Sequence, residues 1–157
     1  MPPQVFVLSA ALFAVAAAIA YIDWRRQIIP DGLNVVALAL GEIAAFAGDT
    51  EAPLAAVVHA GIRAVVTAGV FFLFREAYRR LRGREGLGLG DVKLAAAAGA
   101  WLDWSVIPMA VALAAFAGLL AALAAAAARR RLPEPLARLP FGAFFAPSIW
   151  RMWTWTR

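Results

Sequence analysis

Two carboxylates raise the question of chemistry in this chain. Asp23 closes one apolar run in "AYIDWRRQIIPDGLN", and Asp91 opens another in "EGLGLGDVKL". Acids inside or at the lip of a membrane segment are expensive and are usually kept for a purpose. Two carboxylates in one partly desolvated pocket cannot both ionise cheaply, so they share a proton. One then serves as base toward a water while the other protonates a carbonyl oxygen, which is hydrolysis of the aspartic-protease kind. Gly86, Gly88 and Gly90 alternate in front of Asp91 and keep the backbone bare and free to adopt unusual dihedrals. A bare, extendable segment beside an acid suits the approach of a peptide backbone, so Gly88 and Gly90 are candidate substrate-binding residues.

Each acid also has a plainer reading. Asp23 stands beside Arg25 and Arg26, and an interfacial carboxylate paired with arginine needs no further role. Asp91, directly after glycine, suits a helix N-cap, where a carboxylate accepts backbone N–H bonds and complements the helix dipole. Lys93 points away from Asp91 if both are helical. It either snorkels to the interface or tunes the acidic pair, and it joins Gly88 and Gly90 as a substrate-binding candidate. Asp31 and Asn34 follow Pro30 and read as caps of the next helix. Glu42 and Arg63 lie within apolar runs as a possible pair across helices. His59, one turn from Arg63, reads as structural, and Asp49, Glu51 and Asp103 as solvated loop residues.

The elements that must position these groups are helices in a bilayer. Of 157 residues, 64% are hydrophobic and 16% charged, where a soluble domain carries about 25% charge. Apolar runs punctuated by charge, Pro and Gly predict six helices, over 4–22, 33–48, 53–74, 91–102, 106–128 and 141–155. The fold class is therefore all-α, a single polytopic membrane domain over 1–157 with six transmembrane helices. The fourth helix is too short to cross a core of about 30 Å, so the Gly-rich segment before it shares the membrane depth. Irregular backbone there is tolerated only inside protein or beside a wet cavity.

The formal charge of +5 reads as topology signal and anionic-lipid contact, with no nucleic-acid role, because the arginines sit in short loops. Loops holding Arg25 and Arg26, then Arg75, Arg79, Arg80, Arg82 and Arg84, then Arg129, Arg130, Arg131 and Arg138 alternate with "GDTEAP" and "LDWS". The positive-inside rule makes the basic loops cytoplasmic, which puts Asp23 and Asp91 on that side and both termini outside. "MPPQ" offers no basic n-region, so the first run is expected to remain as an uncleaved span. No cysteine is present and His59 is the one histidine. That excludes a disulfide framework and a thiolate nucleophile, and leaves neither a metal nor a cofactor to be expected.

Three segments together resemble the type IV prepilin peptidases, membrane aspartic proteases with a Gly-x-Gly-Asp motif. "GLGLGDVKL" is similar to their Gly-x-Gly-Asp-x-Lys-Leu motif, "IDWRRQIIPDGLN" to their Asp motif with a following Pro-Asp, and "LPFGAFFAPSIW" to their Pro-Phe-Gly helix. The resemblance implies six helices, catalysis by Asp23 and Asp91, no catalytic role for Asp31, and prepilin as the partner substrate. It departs from the longer members, which carry a Cys-x-x-Cys zinc insertion and also N-methylate the product, so no N-methyltransferase activity is expected. The short form is similar to peptidases of tight-adherence (Flp-type) pili and to archaeal preflagellin peptidases. The bacterial Flp type, in the inner membrane, is the expectation. The presenilin type shares Gly-x-Gly-Asp, yet its first acid lies deep in a span, unlike "YIDWRR". The rival of another class is a transporter or pilus-assembly scaffold using Asp23 and Asp91 for proton relay or ion pairing. Sequence sets no oligomeric state.

Overall fold

The computed structural model describes residues 3–83, 86–129 and 140–157. Arg84 and the basic residues Arg130, Arg131 and Arg138 lie outside the described residues. Within them the chain forms six helices: α1 Pro3–Arg26, α2 Asp31–Gly48, α3 Pro53–Arg82, α4 Leu89–Trp101, α5 Ile107–Arg129 and α6 Phe141–Trp155. The expected number and order hold. By length and apolarity α1, α2, α3 and α5 can each cross a bilayer. With 13 and 15 residues, α4 and α6 are about 20 and 22 Å long at 1.5 Å per residue.

Of the boundaries that differ from expectation, three have a clear local reason. Helix α1 runs through Asp23 to Arg26 and ends where Gln27 takes a left-handed φ of 53°. Its N–H closes on the Asp23 carbonyl at 2.8 Å, the bond of an αL cap. Helix α3 continues eight residues beyond 74, through "REAYRRLR". Those residues are good helix formers, and Glu76 faces Arg79 and Arg80 at 2.8 and 2.9 Å. Gly83, at φ 67°, closes that helix with its N–H on the Arg79 carbonyl. Helix α4 starts at Leu89 after an extended Gly88, so Asp91 sits within its first turn.

The short α4 is the centre of the bundle, packed against α3, α2 and α6. From Val92 to Trp101 it is buried nearly all round, as a helix apolar on every side must be. Small residues allow the close approach. A Cβ added to Gly99 would run into the Arg63 backbone, and one on Gly41 would lie 2.7 Å from Ala100 Cβ. Two polar bonds lock the far end of α4. Trp101 Nε1–H donates to the Ala37 carbonyl at 2.8 Å, and Arg63 Nε–H donates to that of Gly99 at 3.1 Å. On the other side, Phe71 stacks on Phe145 at 5.6 Å with Phe141 against both, joining α3 to α6. Helix α6 also carries α1 and α5. Outward side chains such as Phe6, Val35, Val65, Leu73 and Phe116 are exposed, the surface a lipid-facing bundle presents.

Candidate active site

Asp23 is set by helix periodicity. The buried stripe of α1 is Leu12, Ala16, Ile19 and Asp23, a 4-3-4 spacing that turns the carboxylate into the bundle. It is 5% exposed and meets the start of α6. Pro140 precedes that helix without a side-chain cap. Asp23 supplies the missing acceptor from another helix: Ala143 N–H donates to its Oδ2 at 2.9 Å. The orphan N–H groups and positive end of a helix stabilise a carboxylate there. Gly142 has no room for a side chain, since a Cβ would lie 3.1 Å from Asp23 Oδ2 and 2.5 Å from Ile29 Cδ1.

Asp91 occupies the third position of α4 and reaches back to the residue before the helix: Gly88 N–H donates to its Oδ2 at 3.1 Å. The expectation that Asp91 itself is the N-cap is corrected here. Gly88 is the N-cap, and Asp91 supplies the returning half of a capping box. Both acids thus lie against the N-terminal turn of a short helix.

One apolar residue lies beside a glycine at each site. Ile29 is buried in the connection between α1 and α2, where the following Pro30 disfavours helical geometry. A Cβ on Gly90 would lie 3.0 Å from Ile29 Cβ, and one on Gly142 would strike Ile29 Cδ1. The glycines adjoining the two carboxylate sites therefore close on a single side chain, and both face its Cγ1 and Cδ1. Sequence reasoning missed Ile29 and the contact of Gly142 with Asp23. The only signals were the extended geometry before Pro30 and the glycine of Pro-Phe-Gly.

The turn carrying Gly86, Gly88 and Gly90 is held from two helices. From α3, Arg75 Nε–H donates to the Leu87 carbonyl at 3.2 Å, and the Tyr78 ring lies where a Cβ on Gly86 would be, at 2.6 Å. From α2, Asn34 Nδ2–H donates to the Gly90 carbonyl at 3.3 Å. Lys93 Nζ–H donates to Asp31 Oδ1 at 2.6 Å, with the two side chains 49% and 71% exposed. The expected capping by Asp31 or Asn34 is thereby corrected. Pro30 is the N-cap of α2, and both polar residues turn to α4 instead.

The remaining sequence candidates lie away from this end. Arg63 makes its close contacts with the Gly99 carbonyl and with Asp103, 3.6 Å away, and the expected pair with Glu42 is not among the ion pairs of the described residues. Asp103, expected to be only solvated, is that arginine's ion-pair partner. His59 is exposed on α3.

A six-helix membrane bundle with two carboxylates against paired helix N-termini defines a class of site, and sequence comparison gives it a family. Residues 10–123 match the type IV leader peptidase family, and the chain belongs to it. It is 40% identical over 144 residues to a prepilin leader peptidase/N-methyltransferase of Burkholderia pseudomallei (strain 1026b), covering 90% of this chain and 42% of that protein. A protein of the same name from Dickeya chrysanthemi is 38% identical over 148 residues, 93% of this chain and 50% of the relative. One from Pseudomonas aeruginosa is 33% identical over 138 residues, 88% and 46% respectively. The chain spans about half the length of the curated relatives it matches. No solved structure matches it.

Proposed function

We propose that this chain is an intramembrane aspartyl endopeptidase that removes the leader from type IV-like prepilins, of the Flp type, at the cytoplasmic face of the bacterial inner membrane. The observations that support the reading are that Asp23 and Asp91 each accept a backbone N–H at the first turn of a short helix, α6 and α4, and that Ile29 lies against Gly142 and Gly90 at these two turns. One carboxylate takes a proton from water as its oxygen attacks the scissile carbonyl, and the other protonates the carbonyl oxygen. Collapse of the tetrahedral intermediate passes a proton to the leaving amine. Gly88 and Gly90 admit the substrate backbone, and the basic loops hold this end of the bundle against anionic headgroups. The proposal is confined to the peptidase step: the chain has no cysteine for the thiolate zinc site of longer, N-methylating members.

The test is cleavage of a precursor pilin by membranes carrying the wild-type chain, Asp23→Asn or Asp91→Asn. Each substitution keeps the side-chain volume and removes the titrating proton, so each should abolish processing while the protein still accumulates. Processing that survives either change would refute the mechanism and leave the scaffold or proton-relay reading standing.

A further inference from the structure

Asn34 is the first residue of the inward stripe of α2, followed by Ala37, Gly41 and Ala44. It is the one polar member of that stripe and is 4% exposed. Its Nδ2–H donates to the Gly90 carbonyl at 3.3 Å, while its own Oδ1 is buried among the described residues with no hydrogen-bond partner. A buried amide oxygen left unpaired is costly and calls for a reason. Leucine would fill a similar volume without that cost, so what asparagine adds here is the N–H alone.

The acceptor explains the value of that N–H. The carbonyl of Gly90 belongs to the peptide unit that joins Gly90 to Asp91, so its orientation sets the plane from which the Asp91 side chain departs. Gly90 is the second residue of α4, where glycine holds helical dihedrals less firmly than a residue with a side chain. Ile29 presses on the same residue, 3.0 Å from where its Cβ would be. Contact alone restrains position, whereas the directional bond from Asn34 also restrains rotation. We infer that Asn34 is a positioning residue of the active site, which fixes the Asp91 carboxylate through the Gly90 carbonyl and is retained despite its unpaired oxygen for that purpose. The inference rests on the peptidase reading of Asp23 and Asp91.

The test compares wild type, Asn34→Leu, Asn34→Ala and Asn34→Gln, with Asp91→Asn as the inactive control, in cleavage of a precursor pilin and in thermal unfolding in detergent. Leucine and alanine both delete the donor, one keeping volume and the other losing it. Both should lower kcat by about tenfold or more with KM within about twofold, because turnover depends on placement of the reacting groups more than binding does. Asn34→Leu should unfold no earlier than wild type, and Asn34→Gln, which keeps an amide donor, should recover part of kcat. Wild-type kcat in either donor-deleted variant overturns the inference. So does a loss that merely tracks the folded fraction, or a glutamine variant no better than alanine. A wild-type chain that does not cleave at all defeats the peptidase reading itself, an outcome distinct from these.

Discussion

Gly142→Ala is the sharpest perturbation available, because it adds a single methyl at the junction of both carboxylate sites. The new Cβ would stand 2.5 Å from Ile29 Cδ1 and 3.1 Å from both Ile29 Cγ1 and Asp23 Oδ2. Ordinary carbon contacts lie at about 3.5–4.0 Å, so the isoleucine tip must retreat by about 1 Å. The same side chain lies beside Gly90, 3.0 Å from where a Cβ there would stand, so its displacement should disturb the turn that carries Asp91. Misplacement of reacting groups by about 1 Å costs on the order of 100-fold in rate, equivalent to about 2.7 kcal/mol of transition-state stabilisation. Ile29→Val removes Cδ1, the atom in worst conflict, at a stability cost of about 0.5–1.5 kcal/mol. The double variant should therefore regain about tenfold over Gly142→Ala alone, a coupling of about 1.4 kcal/mol. The assay is kcat/KM for precursor cleavage across the four-member cycle, with thermal unfolding measured alongside. A fully active Gly142→Ala, or effects that add to within about 0.5 kcal/mol, would refute the idea that Ile29 transmits between the two sites.

Three further outcomes follow from the packing. Lys93→Met breaks an exposed ion pair, which is worth about 0–1 kcal/mol, so stability should fall by less than that and KM should stay within about threefold; a KM raised tenfold would instead mark Lys93 as a substrate contact. Gly99→Ala meets the Arg63 backbone, which cannot rotate away, so the unfolding free energy in detergent should drop by about 1–3 kcal/mol, as for other overpacked cores. Arg63→Lys keeps the charge but loses the planar fork that serves the Gly99 carbonyl and Asp103 together. It should lower the unfolding temperature almost as much as Arg63→Met, and full retention by lysine would show that charge alone matters there.

Much of the fold was legible because apolar runs separated by Pro, Gly and charge leave few ways to divide the chain. Boundaries were less so: Trp24-Arg25-Arg26 and "REAYRRLR" look like loop by charge, yet are helical, the second with Glu76 paired to Arg79 and Arg80 and Arg75 turned to the Leu87 carbonyl. The inward turn of Asp23 was readable, since it continues the 4-3-4 stripe of Leu12, Ala16 and Ile19. The place of Asp91 in its helix was not, because glycine before an acid suggests that the acid is the cap. The partners of Lys93 and Asn34 depend on how α2 and α4 are set against each other in register, and the pairing of Asp23 with Ala143 spans 120 positions. Such contacts are decided by packing, which local pattern does not encode.

The bond from Ala143 to Asp23 has a consequence for biogenesis. Synthesis proceeds from α1 toward α6, so Asp23 enters the membrane first and its helix partner arrives last. Until Phe141–Trp155 is in place, that carboxylate has no first turn to rest against, and Ile29 has no Gly142 to close over it. A chain without Phe141–Trp155 therefore leaves Asp23 lacking the N–H of Ala143, so on the peptidase reading precursor cleavage should await that helix.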